Sequence, residues 1–194
     1  MKIDMSHVKP GVSGDWCIEE FEVANSLFYR MDMIKTGRGV PPGKYLSIKR
    51  RGKVIMSNTP DEIRDFMPFY YKATGNVLIN GLGLGVVLTA ILSKKEITKV
   101  TIVEKSEDVI KLVSSCFNDE RLTIIHADAY DYNPPKGERF DAVWHDIWDD
   151  ICTDNLPQMS ALHKKYGRRT KWQGSWAREI CLANERKRRR SLYY

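Results

Sequence analysis

The clearest order in this chain of 194 residues is a repeated alternation of short apolar runs with helical patterns. Four runs, at residues 77–80, 100–104, 122–126 and 140–145, are nearly continuous in apolar side chains. Runs of that kind predict strands buried on both faces, not strands with one wet side. Residues 86–94 and 106–117 lie between them and predict helices. The second has Ser106 as its cap and Glu107 and Asp108 in its first turn, where acids suit the helix dipole. Strands alternating with helical crossovers predict a parallel sheet with helices on both faces. The link between the third and fourth runs holds Pro134, Pro135 and Gly137 and has room for a turn or a brief helix.

The pattern before residue 73 differs. Residues 1–14 predict a loose leader. Cys17, Glu19, Phe21 and Val23 alternate with other positions and share one face of a strand. Residues 27–34 suit either a strand or a helix start, and Gly37, Gly39, Pro41, Pro42 and Gly43 form a turn-rich link. Residues 45–49 and 54–57 flank a glycine-containing turn and predict a hairpin. Thr59-Pro60-Asp61-Glu62 then predicts a helix start, with Ile63, Phe66 and Met67 inward and Pro68 as a kink or an early end. The chain divides on this basis into a β-rich accessory region, 1–72, and a cofactor-binding region, 73–194. After Asp150 no further strong strand is predicted. Residues 156–166 predict a helix, and Trp172, Trp176, Ile180 and Ala183 share a helical face.

Composition narrows the class. No apolar stretch reaches the roughly 20 residues that span a bilayer, and the amino terminus lacks a signal peptide's apolar segment. Cys17, Cys116, Cys152 and Cys181 are scattered, which predicts buried free thiols in a reducing, cytoplasmic setting. The net charge of +6 is uneven: residues 154–194 hold 11 Lys or Arg against 3 acids, a local +8 that leaves −2 on the remainder. Arg186-Lys187-Arg188-Arg189-Arg190 is the sharpest cluster, either a solvated end or an attractor of phosphate backbones.

Gly81-Leu82-Gly83-Leu84-Gly85 follows the first apolar run and opens into a helix. Glycines there let backbone approach a ligand closely. Glu104 ends the second run, where an acid can accept from both ribose hydroxyls of an adenosine group. Open parallel sheets bind ligands beyond the carboxyl ends of their strands. Asn80 with Gly81, Gly83 and Gly85, then Glu104, then Asp128 with Ala129, then Asp146 occupy four such ends. Asp128 suits an adenine amino group, and Asp146 suits a substrate amine or the amino-acid end of a cofactor. A dinucleotide would use the same glycines and Glu104, but the later acids suit it less well. No Walker phosphate motif, G-x-S-x-G turn or compact zinc pattern is present, and His126, Asp128 and His145 do not make a metal site by strand order alone.

These residues, taken in order over 45–150, resemble the class I S-adenosylmethionine-dependent methyltransferases, and within them the spermidine synthase-like group. The resemblance implies a Rossmann-like fold, an S-adenosyl-L-methionine site at Gly81 to Gly85, Glu104 and Asp128, and an amine-facing Asp146 with Asp149 as a second acid by spacing. Two features depart from the group. Polyamine synthases carry an acid in the glycine loop where this chain has Leu84, and no Gly-Pro element follows Asp146. Methyltransferases of the class end in further strands, here reduced or absent, which implies a more open pocket.

Methyl transfer from a sulfonium asks for alignment and, for some acceptors, a base. Asp146 is the first candidate and Asp149 the second. His145 reads as a packed histidine or a base, Trp148 as packing or a cover for a cationic acceptor, and Tyr70 and Tyr71 as cleft lining or packing. Three functions stay open: methyl transfer to a small or amine-containing acceptor; aminopropyl transfer; and a non-catalytic binding or assembly protein that keeps the fold. Nucleic acid at residues 186–190 and a homodimer are the macromolecular partners considered, and no membrane is.

Overall fold

The computed structural model describes residues 3–25 and 39–191. Strands β1 (Gly11–Ser13), β2 (Trp16–Val23), β3 (Gly43–Arg50) and β4 (Lys53–Ser57) form an antiparallel sheet in sequence order. The β3–β4 turn places Arg51 and Gly52 at φ 50 and 80, the two successive positive values of a type I′ hairpin, whose twist matches the flanking strands. Residues 3–14 are not a loose leader. Met5 and Val8 are buried in the core and β1 pairs with β2 from Gly11↔Ile18 to Ser13↔Trp16. The strand-or-helix expectation for 27–34 lies outside the described residues.

Helix α1 (Pro60–Lys72) begins as expected with proline in its first turn, but Thr59 caps it by position only. The Thr59 hydroxyl is engaged with Ser57 Oγ at 3.0 Å. Pro68 does not end the helix: it faces solvent, where the missing N–H costs least, and α1 continues to Lys72. The inward face is Ile63, Phe66 and Phe69, with Met67 half-buried.

Strand β5 (Gly75–Asn80) lies at the centre of a second sheet, because Val77, Leu78 and Ile79 have no more than 1 % exposure and both their faces need cover. Helix α2 (Val86–Leu92), β6 (Ile97–Glu104), α3 (Glu107–Val113) with a 3-10 turn (Ser114–Cys116), β7 (Leu122–His126) and β8 (Phe140–His145) follow as the pattern predicts. Ser106 Oγ accepts from Val109 N–H at 3.3 Å, the expected cap of α3. Helix α2 stops two residues early because the Arg121 guanidinium takes up its end, donating to Leu92 O at 2.7 Å and Lys94 O at 3.1 Å.

The carboxyl-terminal segment departs from expectation. After α4 (Asn155–Tyr166) comes β9 (Thr170–Ser175), parallel to β8 and paired from Phe140↔Thr170 to His145↔Ser175, and then α5 (Arg178–Ser191). Trp172 therefore lies on a strand and Trp176 in the turn beyond it, not on one helical face. The all-parallel order β7-β6-β5-β8-β9 is the Rossmann-like architecture, with helices on the sheet and the antiparallel β-region before it. Phe69, Trp144 and Trp172 stack between α1 and the sheet, Trp144 and Trp172 within 5° of parallel.

The antiparallel sheet is fastened over the carboxyl ends of these strands at two places. Ser13 Oγ donates to Asp108 Oδ1 of α3 at 2.7 Å. On the other side Arg50 pairs with Asp149, and Lys53 Nζ donates to Asp150 Oδ2 at 2.5 Å. Ile18 and Ile48 continue one apolar cluster with Val77 and Ile79. Among the described residues no helix is long and apolar enough to cross a membrane.

Candidate functional site

A cavity of about 460 Å³ lies between the strand tips and the antiparallel sheet, within the range of small-molecule sites. Gly81, Gly83, Glu104, Asp128, Ala129, Asp146 and Asp149 all line it. Asn80 and Gly85 do not. Asn80 is fully buried and its Nδ2 donates to His145 Nδ1 at 2.7 Å. Gly85 starts α2 at φ 81, and a Cβ there would meet the Phe117 ring at 2.8 Å. Its lack of a side chain serves packing of the helix against Phe117.

The other two glycines serve the cavity. At Gly81 (φ 99) a Cβ would lie 2.0 Å from the Asp146 carbonyl oxygen, so the glycine lets the β5 and β8 tips close together. Asp146 N–H donates to Asn80 O at 2.8 Å and fixes that approach. At Gly83 (φ 51) a Cβ would lie 2.8 Å from Met56 Sδ of β4, so the antiparallel sheet rests directly on the glycine turn. Leu84, at the position of the polyamine synthases' acid, is fully buried and offers nothing to the cavity.

Glu104 ties the turn to β6. Its Oε2 accepts from Leu82 N–H at 2.8 Å and its Oε1 from Ser106 N–H at 2.7 Å. An ionised carboxylate has about four lone-pair sites, so each oxygen keeps one to offer. Asp128 is held in the same way: Oδ1 accepts from Tyr130 N–H at 2.9 Å and Oδ2 from Lys105 Nζ at 2.7 Å. The Lys105 and Tyr130 hydrogen bonds hold its carboxyl below the usual range. Ala129 is buried beside it, its carbonyl accepting from the Tyr166 hydroxyl at 3.2 Å.

Asp146 sits at the inner end. Burial pushes its carboxyl up to about 7, opposed by a Trp144 Nε1 hydrogen bond at 3.4 Å and assisted by the negative charge of Asp65. His145 is packed and is not a base aimed at the cavity. Burial pushes it down to about 3, and its Nε2–H donates to Gln173 Oε1 at 3.3 Å. Asp149 is committed to Arg50, whose guanidinium also lies 5.4 Å over the Trp16 ring. Trp148 lines the cavity with its indole N–H satisfied by Gln158 Oε1 at 3.0 Å.

Tyr70 and Tyr71 stay outside: Tyr71 is exposed and Tyr70 lies under Lys94. His126 is exposed with Nε2 at 3.0 Å from Lys105 O. Among the described residues no three His, Cys, Asp or Glu converge on a metal position. All four cysteines are free, but Cys152 is exposed and Cys17 and Cys116 are half-buried, so only Cys181 meets the expectation of a buried thiol.

The pattern did not single out Trp16, Arg50, Met56 or Trp176 as cavity residues. The basic turn at Arg50 to Lys53 facing the acidic pair Asp149 and Asp150 was a visible clue to the first contact. Trp176 had none, since its placement follows from β9.

No family model and no curated protein matches the chain. Among solved structures, spermidine synthase from Thermotoga maritima is similar over 84% of this chain and 52% of its own, at 19% identity and a TM-score of 0.51. A spermidine synthase in complex with a transition-state analogue covers 81% and 52% at 20% identity and 0.46. N-methyltransferase NodS from Bradyrhizobium japonicum covers 57% and 62% at 12% identity and 0.45. The chain thus spans about half the length of the first two, and likeness at these identities establishes fold alone. The chain has a Rossmann-like fold, similar to that of the spermidine synthase from Thermotoga maritima.

Proposed function

We propose that the cavity holds S-adenosyl-L-methionine and that the protein transfers its methyl group to an amine-containing acceptor at Asp146. The observation that carries this reading is the convergence of Gly81, Gly83, Glu104, Asp128 and Asp146, from four strand tips, on one cavity. The residues suit the adenosyl group: Glu104 keeps lone pairs for two ribose hydroxyls, and Asp128 keeps one for an exocyclic amine. When bound, the cofactor supplies a methyl group already activated by its sulfonium.

The protein's own part is alignment, exclusion of water and one proton. Met56 and the antiparallel sheet cover the site, and Trp148 and Trp176 wall the inner end next to Asp146. In its ionised form Asp146 accepts the proton from an acceptor ammonium, freeing the nitrogen lone pair. Asp149, neutralised by Arg50, orients the wall and does not act as the base. Four free thiols suit a reducing compartment such as the cytoplasm.

Aminopropyl transfer is the second reading, supported by the antiparallel sheet that precedes the Rossmann-like part and by likeness to a spermidine synthase over 84% of this chain. Buried Leu84 weighs against it. Mass spectrometry of small molecules retained on the purified protein, followed by a transfer assay with methyl-labelled donor and a panel of amines, tests the proposal. Label transfer that disappears in Asp146→Asn supports methyl transfer. Retention of the donor with no transfer to any amine rejects it in favour of a binding protein that keeps the fold.

A further inference from the structure

Helix α5 begins packed and ends bare. Cys181 is buried and Ile180 and Leu182 are half-buried, but every residue from Arg186 to Ser191 is exposed. Glu185 is the acid in that stretch, accepting from Arg188 Nε at 2.9 Å and Arg189 Nε at 2.9 Å. Arg188 also lies within reach of the Asp154 charge. Among the described residues no acid pairs with Arg186, Lys187 or Arg190.

Successive helical residues turn by about 100°, so the five consecutive cations project on all sides of the helix. Arg186 with Arg190, and Lys187 with Arg190, stand at spacings where like charges oppose helix formation. An array of anions on more than one side would relieve this repulsion. No apolar residue lies between Asn184 and Ser191, so the helix end lacks the stripe that an interfacial membrane helix buries. A flat anionic surface would meet only one side of it. The B-form major groove is about 12 Å wide and admits a helix between two phosphate walls, whereas the groove of duplex RNA is deep and too narrow.

We propose that the end of α5 docks duplex DNA through its phosphates, without reading sequence and independently of the cavity. Fluorescence anisotropy of the full chain with two labelled DNA duplexes of unrelated sequence tests this, over a series of salt concentrations. Expected are similar micromolar affinities for both, and a log–log salt slope of about −3 to −4.5 for three to five phosphate contacts. Changing Arg186, Lys187 and Arg190 together to Gln spares the Glu185 pairs. It is expected to weaken binding at least tenfold and flatten the slope by about 2 to 3. A variant with Arg186→Lys and Arg190→Lys keeps the charge and is expected to bind as the wild type does. Unchanged binding in the Gln variant, no binding at low salt, or equal affinity for duplex RNA or anionic vesicles would overturn the proposal. Calorimetry with S-adenosylhomocysteine, identical for wild type and Gln variant, reads the cavity separately from this surface.

Discussion

Replacing Asp146 by asparagine removes a proton-binding site that burial has moved to neutrality. In the folded chain its carboxyl lies at about 7, against 3.8 when free. Each unit corresponds to about 1.4 kcal/mol, so the linked stability is at most about 4 kcal/mol. Between those two values the folded state holds a proton that the unfolded chain has released. The Asp146 contribution is therefore complete below pH 3.8 and is lost as pH rises through 7. Its neighbour works the other way. His145 falls from 6.5 to about 3, so between those values the unfolded chain holds the extra proton, and acidification below 6.5 costs stability. Across the overlap, pH 3.8 to 6.5, the two slopes oppose each other and the wild-type profile is flattened. Asp146→Asn exposes the His145 slope alone. Urea unfolding of both proteins at intervals from pH 4.5 to 8 measures this. The variant should gain on the wild type as pH rises, by up to about 3.5 kcal/mol between pH 4.5 and 7. Parallel profiles would mean that Asp146 does not hold its proton near neutrality in the folded chain. The wild-type transfer rate should also rise through an apparent pKa near 7.

Other substitutions probe the supports of the site. Glu104→Gln replaces an acceptor by an N–H donor facing Leu82 or Ser106; it should cost about 1–3 kcal/mol in thermal unfolding and weaken S-adenosylhomocysteine binding at least tenfold by calorimetry. A glycine-to-alanine series should rank by what the new Cβ meets, with Gly52 (open space) mildest. Gly83 (the flexible Met56 end) should come next, Gly85 (the Phe117 ring) third, and Gly81 (the Asp146 carbonyl) worst. Met56→Ala should ease Gly83→Ala but not Gly85→Ala, as read by melting temperature. Lys94 is nearly buried and donates to Tyr70 O at 2.6 Å and Ala73 O at 2.7 Å, closing the end of α1. Lys94→Met should cost about 1.5–3 kcal/mol in chemical unfolding while leaving ligand affinity unchanged.

The central sheet was legible because β5, β6 and β8 are buried on both faces, and burial of that kind leaves a continuous apolar signature. Strand β9 was not legible. Thr-Lys-Trp-Gln-Gly-Ser carries no such signature, since it lies at the sheet edge and is half-exposed. It is a strand because β8 supplies the pairing and because Gly174 leaves room for the Trp144 ring, which a Cβ would meet at 2.9 Å. Both facts are tertiary. Glu104, Asp128 and Asp146, which the strand-end rule singles out, line one cavity. The rule put Asn80 at the right strand end but could not say which face its side chain takes, and His145 drew that side chain into the core. The cover of the site, Trp16, Arg50 and Met56, comes from an antiparallel sheet whose docking depends on contacts nearly 100 residues apart in sequence.

The adenosyl assignment is tested most directly by a crystal structure of the protein grown with saturating S-adenosylhomocysteine. The ribose hydroxyls should lie on Glu104 and the base beside Asp128, with Met56 still resting on Gly83. A nucleoside bound elsewhere, or an empty cavity at saturating ligand, would contradict the assignment.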